Sequence, residues 1–527
     1  MDDLSRPADA DADVTRWIYP ACVTALTFVV FCWVGVKSSL VGINSDAAVY
    51  LLLADHFSPW YGLPPDLAEH LFSRYPFPPA YPLLLGWLGG GSAVPSASFM
   101  INAGLLALGL GLATAWMRTA GVPALVAVAA SLITAMTPAI LQLAMGIYSE
   151  SAFLVWLFAG LLVYERSKQS AATWYLSALI LSIAAVTRTA GVIAVGALIL
   201  CWAWHTRMRQ FRYLPFLALA ATLGWQIVRQ ANGAQIDYLH DLAGDSFIQS
   251  LQGYWEQGVI NLGAMGYHWI RCFDVLGSDY SHFALVLSGS LTGLGLMLRL
   301  RRLDIDALFV AGYLLLLVVW PYPNQMQRFF AILLPFAMYY LYFGIAAARM
   351  RLTSSLLTGL ALSAAYTIVL IVSLPSTAYV AQQLAVEAGT PSALNVRMPG
   401  WYRENGRDRA MMATSQEIST MHGLSVIGSY IPKTACVTST KAEKVMLYMR
   451  RRALRAPLED MDALRAVVAE CPWVVMTRSK TFPSRYESFY PLAELRDELE
   501  WVAAMPQARA GAKGQVEVLL ARFRSKG

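Results

Sequence analysis

Long apolar runs, separated by short polar stretches, dominate residues 1–375 of this chain. A helix needs about 20 apolar residues to cross the roughly 30 Å of hydrocarbon in a bilayer. Several runs are shorter, which indicates helices that end inside the protein and leave a cavity open to one side. The pattern predicts about eleven transmembrane helices, near Tyr19–Val36, Ala97–Trp116, Val122–Ala144, Ala152–Tyr164, Trp174–Val186, Val192–Trp204, Leu214–Val228, Phe283–Leu298, Ala307–Trp320, Phe329–Ala348 and Leu356–Leu374.

The pattern changes after Leu374, where charged residues become frequent and apolar runs shorten to the length of strands. This change predicts a second, soluble domain of residues 376–527, with the alternating strands and amphipathic helices of an α/β fold. The predicted helices are Arg409–His422, Lys441–Arg451 and Asp460–Ala469, and the predicted strands are Ala435–Ser439, Trp473–Met476 and Val516–Phe523.

Two cysteines lie at the edges of predicted strands in the second domain. Cys436 and Cys471 can form a disulfide if this domain is exported, but two separate buried thiols are the favoured interpretation. Cys22, Cys32 and Cys201 lie in apolar runs and are interpreted as small core residues. No spacing of cysteine and histidine indicates a zinc site, and no glycine-rich nucleotide loop follows a strand of the soluble domain.

Composition places the whole chain among membrane proteins, since 57% of residues are hydrophobic, 14% are charged and the mean hydropathy is +0.48. Short loops rich in arginine and lysine face the cytoplasm in such proteins. With a cytoplasmic N-terminus, the rich loops 207–212, 299–302 and 349–351 lie inside. An odd number of spans then places the second domain outside, together with the loop around Asp46. We expect a multi-pass protein of the bacterial inner membrane, with the second domain in the periplasm.

The first candidate for chemistry is Asp46, in the sequence INSDAAVY directly after the first apolar run. An ionisable residue held so close to the bilayer is costly unless it has a function. At the start of an amphipathic helix, Ala47–Phe57, that lies along the membrane surface, Asp46 can point into a cavity and act as a general base, with Tyr50 beside it. The alternative is that Asp46 merely caps this helix.

The following segment, RYPFPPAYP from Arg74 to Pro82, contains four prolines that fix a stiff, extended chain. Tyr75 and Tyr81 suit the aromatic belt at a membrane interface. Arg74 is a candidate for contact with a phosphate group. The alternative is a rigid loop that only sets the height of the next helix.

Three more candidates lie at predicted exported helix ends. Glu150 follows Tyr148 and Ser149, and Arg188 lies in TRTAG between two short apolar runs. An arginine there needs a negative partner, which is either Glu150 or a lipid phosphate. Arg328 begins a late span, where its guanidinium suits bidentate phosphate binding; snorkelling to lipid headgroups is the alternative.

These motifs resemble those of GT-C fold glycosyltransferases, the class that uses polyprenyl-phosphate sugars and includes protein O-mannosyltransferases, aminoarabinose transferases and glycolipid mannosyltransferases. The resemblance runs through SDAAVY, RYPFPPAYPLLLGW, YSESAF, TRTAG and QRFFAILLPF, and so covers nearly the whole chain. It implies a GT-C-like transmembrane module of residues 1–375 with a small extracytoplasmic α/β domain.

The resemblance also implies roles for individual residues. By motif, Asp46 is the catalytic base, and Arg188 and Arg328 lie near the donor phosphate. Glu150 lies beside the site, with Tyr50, Arg74 and Tyr81 as further lining candidates. Many relatives carry two adjacent acids in the first loop, whereas this chain has Ser45 and Ala47 on either side of Asp46. A single carboxylate is a poor magnesium site, so no metal is expected.

The implied reaction is an inverting transfer of a sugar, hexosyl or pentosyl, from a polyprenyl monophosphate to an acceptor hydroxyl. The phosphate is already a good leaving group, so no cofactor is expected. The expected partners are the lipid-linked donor, membrane lipid and a glycan, lipid or protein acceptor, with no nucleic acid.

Two other functions stay open. A lipid-linked-sugar flippase or transporter would need no base, but it would favour internal repeats and charges in the middle of spans. A polysaccharide polymerase or ligase would use a diphosphate donor and would carry more basic exported loops.

Residues 230–280 are interpreted as a large exported loop whose aromatic residues anchor it at the membrane interface. Stacking of these aromatic residues on sugars is the alternative.

Overall fold

The structure, a computed structural model, describes residues 12–38, 43–75, 77–166, 171–204, 212–231, 247–277, 279–349, 355–386, 418–457, 460–477, 492–506 and 516–524. Helices dominate the first 386 residues. They are α1 Ala12–Ser38, α2 Ser45–Phe57, α3 Pro65–Arg74, α4 Ala80–Trp87, α5 Pro95–Thr119, α6 Ala124–Ala135, α7 Pro138–Ala144, α8 Ser149–Arg166, α9 Ala171–Thr187, α10 Val192–Trp204, α11 Leu214–Ala231, α12 Phe247–Phe273, α13 Asp279–Leu300, α14 Ile305–Val318, α15 Met326–Arg349 and α16 Ser355–Val386.

The apolar helices make this a multi-pass membrane protein. Within the described residues, five helices are long and apolar enough to cross a bilayer: Trp17–Lys37, Pro95–Thr119, Ser281–Leu300, Met326–Ala347 and Gly359–Ala381. Helices α6 and α7 add a sixth candidate as one broken span, bent by 67°. Shorter apolar stretches of 10–17 residues lie in α9, α10, α11 and α14. Every predicted run is helical, but the count of about eleven spans stays a prediction.

The break between α6 and α7 has a local cause. The sequence indicated one continuous span, Val122–Ala144, but α6 ends at Ala135 and α7 begins at Pro138. Proline has no backbone N–H to donate and its ring clashes with the preceding turn. The helix therefore restarts at Pro138, where proline occupies the first position without loss.

The interpretation of residues 230–280 as a loop is wrong, because helix α12 occupies 27 residues of it. Polar residues such as Gln252, Gln257 and Asn261 interrupt its apolar positions, so a search for continuous apolar runs does not find this helix. Asn261 packs against the end of α14, where its Nδ2 atom donates to the carbonyl oxygens of Leu317, Val318 and Trp320 at 3.0, 2.9 and 2.7 Å. That the aromatic residues of 230–280 anchor this segment at the membrane interface stays a prediction.

The described part of the second domain is an α/β unit. A five-stranded sheet has the order β2-β1-β3-β5-β4, with β1 Cys436–Ser439, β2 Arg452–Arg455, β3 Trp473–Thr477, β4 Leu499–Pro506 and β5 Val516–Phe523. Strands β1, β2 and β3 are parallel, while β5 is antiparallel to β3 and β4. The helices are α17 (418–427), α18 Ala442–Met449 and α19 Met461–Glu470.

Most of the predicted elements of this domain are present. Strands β1, β3 and β5 and helices α18 and α19 lie where the sequence predicted them. The predicted helix Arg409–His422 lies largely outside the described residues, and α17 covers only its end. Strands β2 and β4 were missed, since β2 reads RALR with a charge at each end and β4 ends in proline.

Cys436 and Cys471 form a disulfide, so the interpretation as two separate thiols is wrong. Cys436 opens β1, and Cys471 lies two residues before β3 begins. Because β1 and β3 are parallel neighbours, with Val437 opposite Trp473, the two cysteines meet with their Cα atoms 4.7 Å apart. The sequence alone did not establish that these two strands are adjacent.

Helix α2 is enclosed by protein, so the prediction of an amphipathic helix with one face open to the membrane surface is wrong; that the helix lies along the membrane surface stays a prediction. Its residues from Ala47 to Asp55 are all buried. Helix α4 crosses it so closely that a Cβ on Gly86 would lie 2.4 Å from the carbonyl oxygen of Ala54. On another side α18 of the second domain packs against α2 and shares a hydrophobic core with it. The sequence showed an apolar helix but not the domain that covers it.

Hydrogen bonds fix the second domain to the membrane module. Asp55, near the end of α2, is fully buried and accepts a hydrogen bond from Arg450 Nη2 at 2.8 Å. The backbone N–H of Ser92 donates to the same carboxylate at 2.8 Å. His70 Nε2 lies 2.8 Å from the carbonyl oxygen of Ala453. The helix that carries Asp46 is therefore tied to the second domain near its C-terminal end.

Candidate active site

Asp46 lies in the first turn of α2, but it does not cap that helix. The cap is Asn44, whose Oδ1 atom accepts from the backbone N–H of Ala47 at 2.7 Å. The alternative interpretation of Asp46 as a cap is therefore wrong. Asp46 Oδ2 instead accepts a hydrogen bond from Arg328 Nη1 at 2.9 Å, and its side chain is 36% exposed.

Glu150 joins two arginines from separate helices. It lies in the first turn of α8 with a side chain only 1% exposed. Its Oε1 atom is 2.7 Å from Arg188 Nη1 and 2.7 Å from Arg328 Nε. Asp46, Arg328, Glu150 and Arg188 thus form a chain of alternating charges, called here the charge cluster, in which two carboxylates balance two guanidinium groups.

The break after α9 positions Arg188. Helix α9 ends at Thr187, and a short 3-10 turn, Thr189–Gly191, leads into α10. A Cβ on Gly191 would lie 2.5 Å from the carbonyl oxygen of Ala184, so glycine allows the chain to return this closely. The break directs Arg188 at Glu150, and the guanidinium lies over the Phe329 ring with its Cζ atom 4.7 Å from the ring centre.

The two arginines keep unused donors inside the protein. Their side chains are 13% and 15% exposed, yet among the described residues the Nε–H groups of Arg188 and Arg328 donate no hydrogen bond. The approach of Arg328 Nε to Glu150 is therefore an ion pair without hydrogen-bond geometry. Buried donors that lack an acceptor are unfavourable. Arg328 Nε already lies 2.7 Å from Glu150 Oε1, so an anionic oxygen that enters the charge cluster would find its unused donor at Arg188 Nε.

Tyr50 and Ser149 complete the wall of the charge cluster. The hydroxyl of Tyr50 donates to Ser149 Oγ at 3.1 Å, and Arg188 Nη1 donates to the same oxygen at 3.5 Å. Tyr50 therefore lies where the sequence indicated. Arg328 also lies over the ring of Tyr148, with its Cζ atom 5.1 Å from the ring centre.

Asn102, on α5, was missed, and it orders the turn that carries Glu150. Its Nδ2 atom donates to the carbonyl oxygens of Leu143 and Gly146 at 3.0 and 2.9 Å. Its Oδ1 atom accepts from Tyr81 Oη at 3.0 Å and from the Tyr148 backbone N–H at 3.3 Å. Tyr81 thus supports the site indirectly, through its hydrogen bond to Asn102. A lone asparagine inside an apolar span was the available signal.

Arg74 lies outside the charge cluster. Among the described residues its ion-pair partner is Glu470 of the second domain, at 3.8 Å. Arg74 also lines a different cavity at the junction of the two domains. The structure therefore brings together Asp46, Glu150, Arg188 and Arg328, with Tyr50 beside them, and separates Arg74 from them.

The charge cluster offers little to a metal ion. Among the described residues, no group of three or more histidine, cysteine or acidic side chains is arranged to hold one. Both carboxylates of the charge cluster already contact arginine. Whether the reaction needs a metal stays a matter of prediction, since a cation would have to displace a guanidinium from Asp46.

No protein-family model matches the chain, and the search of curated proteins found no relative. The solved structures to which the chain is similar are GT-C fold glycosyltransferases. ArnT from Cupriavidus metallidurans bound to undecaprenyl phosphate has 12% identity and a TM-score of 0.49, over 95% of this chain and 97% of that one. An Archaeoglobus fulgidus oligosaccharyltransferase tethered with an acceptor peptide has 12% identity and a TM-score of 0.47, over 86% of this chain and 69% of that one. With TM-scores below 0.5, neither likeness bears on the function of the charge cluster.

Proposed function

We propose that the protein is a membrane-embedded glycosyltransferase that moves a sugar from a polyprenyl monophosphate to an acceptor hydroxyl, with inversion at the anomeric carbon. The observation that carries the proposal is the charge cluster itself. A partly exposed carboxylate, Asp46, lies 2.9 Å from the guanidinium of Arg328, and Arg188 joins the same cluster through Glu150. A base beside an anion site is what this transfer requires.

The donor phosphate would bind at Arg188 and Arg328. Charge-assisted hydrogen bonds from arginine to phosphate are short and strong, and the two guanidinium groups already face one carboxylate. A phosphate oxygen would take up the Nε–H of Arg188, which donates no hydrogen bond among the described residues. Arginine serves better here than lysine because its planar fork fits phosphate in two bonds.

An apolar groove is available for the lipid tail. A cavity of about 250 Å³ lies between α1, α6, α7 and α16, with Leu26, Val30 and Trp33 on its exposed side. Its lining is almost entirely apolar, and Leu141 and Val380 lie among the lining residues. Helix α7 leads from this groove to the turn before Glu150, so a tail in the groove would lie on the path to the charge cluster.

In the transfer step, the acceptor oxygen attacks the anomeric carbon and its proton passes to Asp46. The bond between the anomeric carbon and the phosphate oxygen breaks, and its electron pair leaves with the lipid phosphate. Arg188 and Arg328 stabilise the charge that develops on this leaving group. A single displacement from the opposite face inverts the configuration.

Arg328 would link donor binding to the activity of the base. Without donor, it holds Asp46 in an ion pair. A phosphate that draws this guanidinium away from the carboxylate would leave Asp46 ready to accept a proton. The acceptor would therefore be deprotonated only when a donor is in place.

We place the site on the periplasmic side of a bacterial inner membrane. The second domain packs on the helix that carries Asp46, so both face the same compartment. The disulfide between Cys436 and Cys471 supports an oxidising compartment for that domain. The distribution of arginine among the short loops supports the same orientation.

A panel of polyprenyl-phosphate sugars tests the proposal. The purified protein should be stabilised against thermal unfolding by the matching donor, because ligand binding raises apparent stability. Incubation with an acceptor mixture should then release polyprenyl phosphate and give a glycosidic product of inverted configuration. Movement of lipid-linked sugar across vesicles without any product would favour a flippase. Transfer only from diphosphate-linked donors would favour a polymerase or ligase.

A further inference from the structure

A second cavity, of about 360 Å³, lies where the membrane module meets the second domain. Its volume is within the range of small-molecule sites, and domain junctions are where such sites often occur. It contains no residue of the charge cluster. Its lining comprises Arg74, Tyr75, Glu443, Ala453, Leu454, Arg455, Val467 and Glu470.

Glu443 lies in this cavity with unused acceptor capacity. It is 6% exposed and lies in the first turn of α18. Among the described residues no cation lies within ion-pair distance of it, and its hydrogen bond is a long one of 3.5 Å from the Tyr75 hydroxyl. Burial raises the pKa of Tyr75, so this phenol stays protonated and donates. A buried carboxylate with one long hydrogen bond leaves acceptor sites for a ligand's donors.

The rest of the lining is balanced in charge. Arg74 and Glu470 face each other across 3.8 Å at the rim, where their side chains are 36% and 61% exposed. The lining contains two arginines, Arg74 and Arg455, and two glutamates, Glu443 and Glu470. Arg455 is exposed and Glu443 is buried. A site with no net charge selects neither an anion nor a cation. It offers alternating donors and acceptors instead.

The remaining surface of the cavity is apolar and aromatic. Ala453, Leu454 and Val467 supply aliphatic surface, and Tyr75 supplies a ring. A sugar ring matches such a lining, because it carries hydroxyl groups around its edge and C–H groups on its faces. A phosphate or a carboxylate would leave this apolar surface unused.

We propose that this cavity is a subsite for a neutral sugar unit of a glycan-bearing acceptor, with Glu443 accepting hydrogen bonds from its hydroxyl groups. The assignment of that sugar to the acceptor rests on the proposed glycosyltransferase function. The proposal narrows the choice of acceptor. A glycan, lipid or protein would qualify only if it carries at least one sugar unit in addition to the reacting hydroxyl.

The cavity and the charge cluster are joined by one short segment. Tyr75 lines the cavity, and Phe77, two residues later, packs on Tyr50 with 5.2 Å between the ring centres. Two residues of chain span at most about 7 Å. Tyr50 in turn contacts Ser149 in the charge cluster. These contacts place the cavity near the charge cluster.

Glycoside binding to the full-length protein tests this subsite without any transfer reaction. The probes are the methyl glycosides of glucose, galactose, mannose and N-acetylglucosamine, and binding is followed by saturation-transfer NMR in detergent. At least one should bind, and Glu443→Gln should weaken its binding by roughly tenfold or more, since a hydrogen bond to a charged acceptor is lost. The exposed Arg455→Gln, which does not threaten folding, should weaken it several-fold.

Two further variants complete the design. Glu500→Gln, an exposed change on β4, should bind the probe as the wild type does. Asp46→Asn should also bind it normally, so a failure of the catalytic proposal would leave this readout intact. Absence of binding by every glycoside, or equal binding by Glu443→Gln, Arg455→Gln and the wild type, would overturn the subsite.

Discussion

Asp46→Asn is expected to lower the rate of sugar transfer by about 10²–10⁴-fold, the range that a general base contributes. Asparagine keeps the shape of the side chain but cannot accept the acceptor's proton. The helix should still form, because Asn44 supplies its cap. Release of polyprenyl phosphate from a labelled donor measures the rate, and the melting temperature in detergent reports folding.

The matched control for this variant is Asp66→Asn. Asp66 lies in the first turn of α3, in the same part of the chain, and is exposed. It should transfer sugar at the wild-type rate. If Asp46→Asn retained near-normal transfer, or if both variants lost activity equally, Asp46 would not be the base.

Glu150→Gln is expected to lower the free energy of unfolding by about 3–5 kcal/mol, the usual effect of breaking a buried ion pair by removing one partner. Among the described residues, Glu150 is the carboxylate that contacts both Arg188 and Arg328, and it is almost fully buried. Without its charge the two guanidinium groups repel each other in a region of low dielectric constant. A fall in melting temperature or in the yield of folded protein measures the effect.

Two variants separate this electrostatic effect from a general sensitivity to substitution. Glu256→Gln, on the exposed side of α12, should melt as the wild type does. The double variant Glu150→Gln/Arg188→Gln removes one charge of each sign and should recover part of the lost stability. A wild-type melting temperature for Glu150→Gln would show that the charge cluster is not held together by this residue.

The apolar helices of the membrane module were predictable because each one leaves a run of apolar residues in the sequence. Helix α12 was not, since Gln252, Gln257 and Asn261 lower its hydropathy while their side chains find partners in the fold. The break at Pro138 was visible as a proline, but its angle depends on packing. The number of spans cannot be read from short helices such as α10 and α14.

The members of the charge cluster were predictable one by one, from the cost of placing a charge at a helix end near the bilayer. Glu150 was one of the two partners that the sequence offered for Arg188, and the structure contains that pair. The joining of all four residues was not predictable, because Asp46, Glu150, Arg188 and Arg328 come from four segments that meet only in three dimensions. The sequence also could not distinguish Asn44 from Asp46 as the cap of α2, since either residue type suits that position.

The second domain shows the same limit. Its strands β1 and β3 were predicted, but their adjacency, and with it the disulfide between Cys436 and Cys471, follows from the order of the sheet. The burial of α2 depends on α18, more than 380 residues later in the chain. The cavity around Glu443 exists only because these distant segments pack together.

The central claim is that Arg188 and Arg328 bind the phosphate of a lipid-linked sugar beside Asp46. The most direct measurement is the affinity of the purified protein for polyprenyl phosphate, compared among the wild type, Arg188→Gln, Arg328→Gln and Arg496→Gln, an exposed change in the second domain. The account predicts that each variant of the charge cluster binds roughly 10- to 100-fold more weakly, as expected for the loss of charged hydrogen bonds. It predicts that Arg496→Gln binds as the wild type does. Equal affinity in all four proteins would contradict the account.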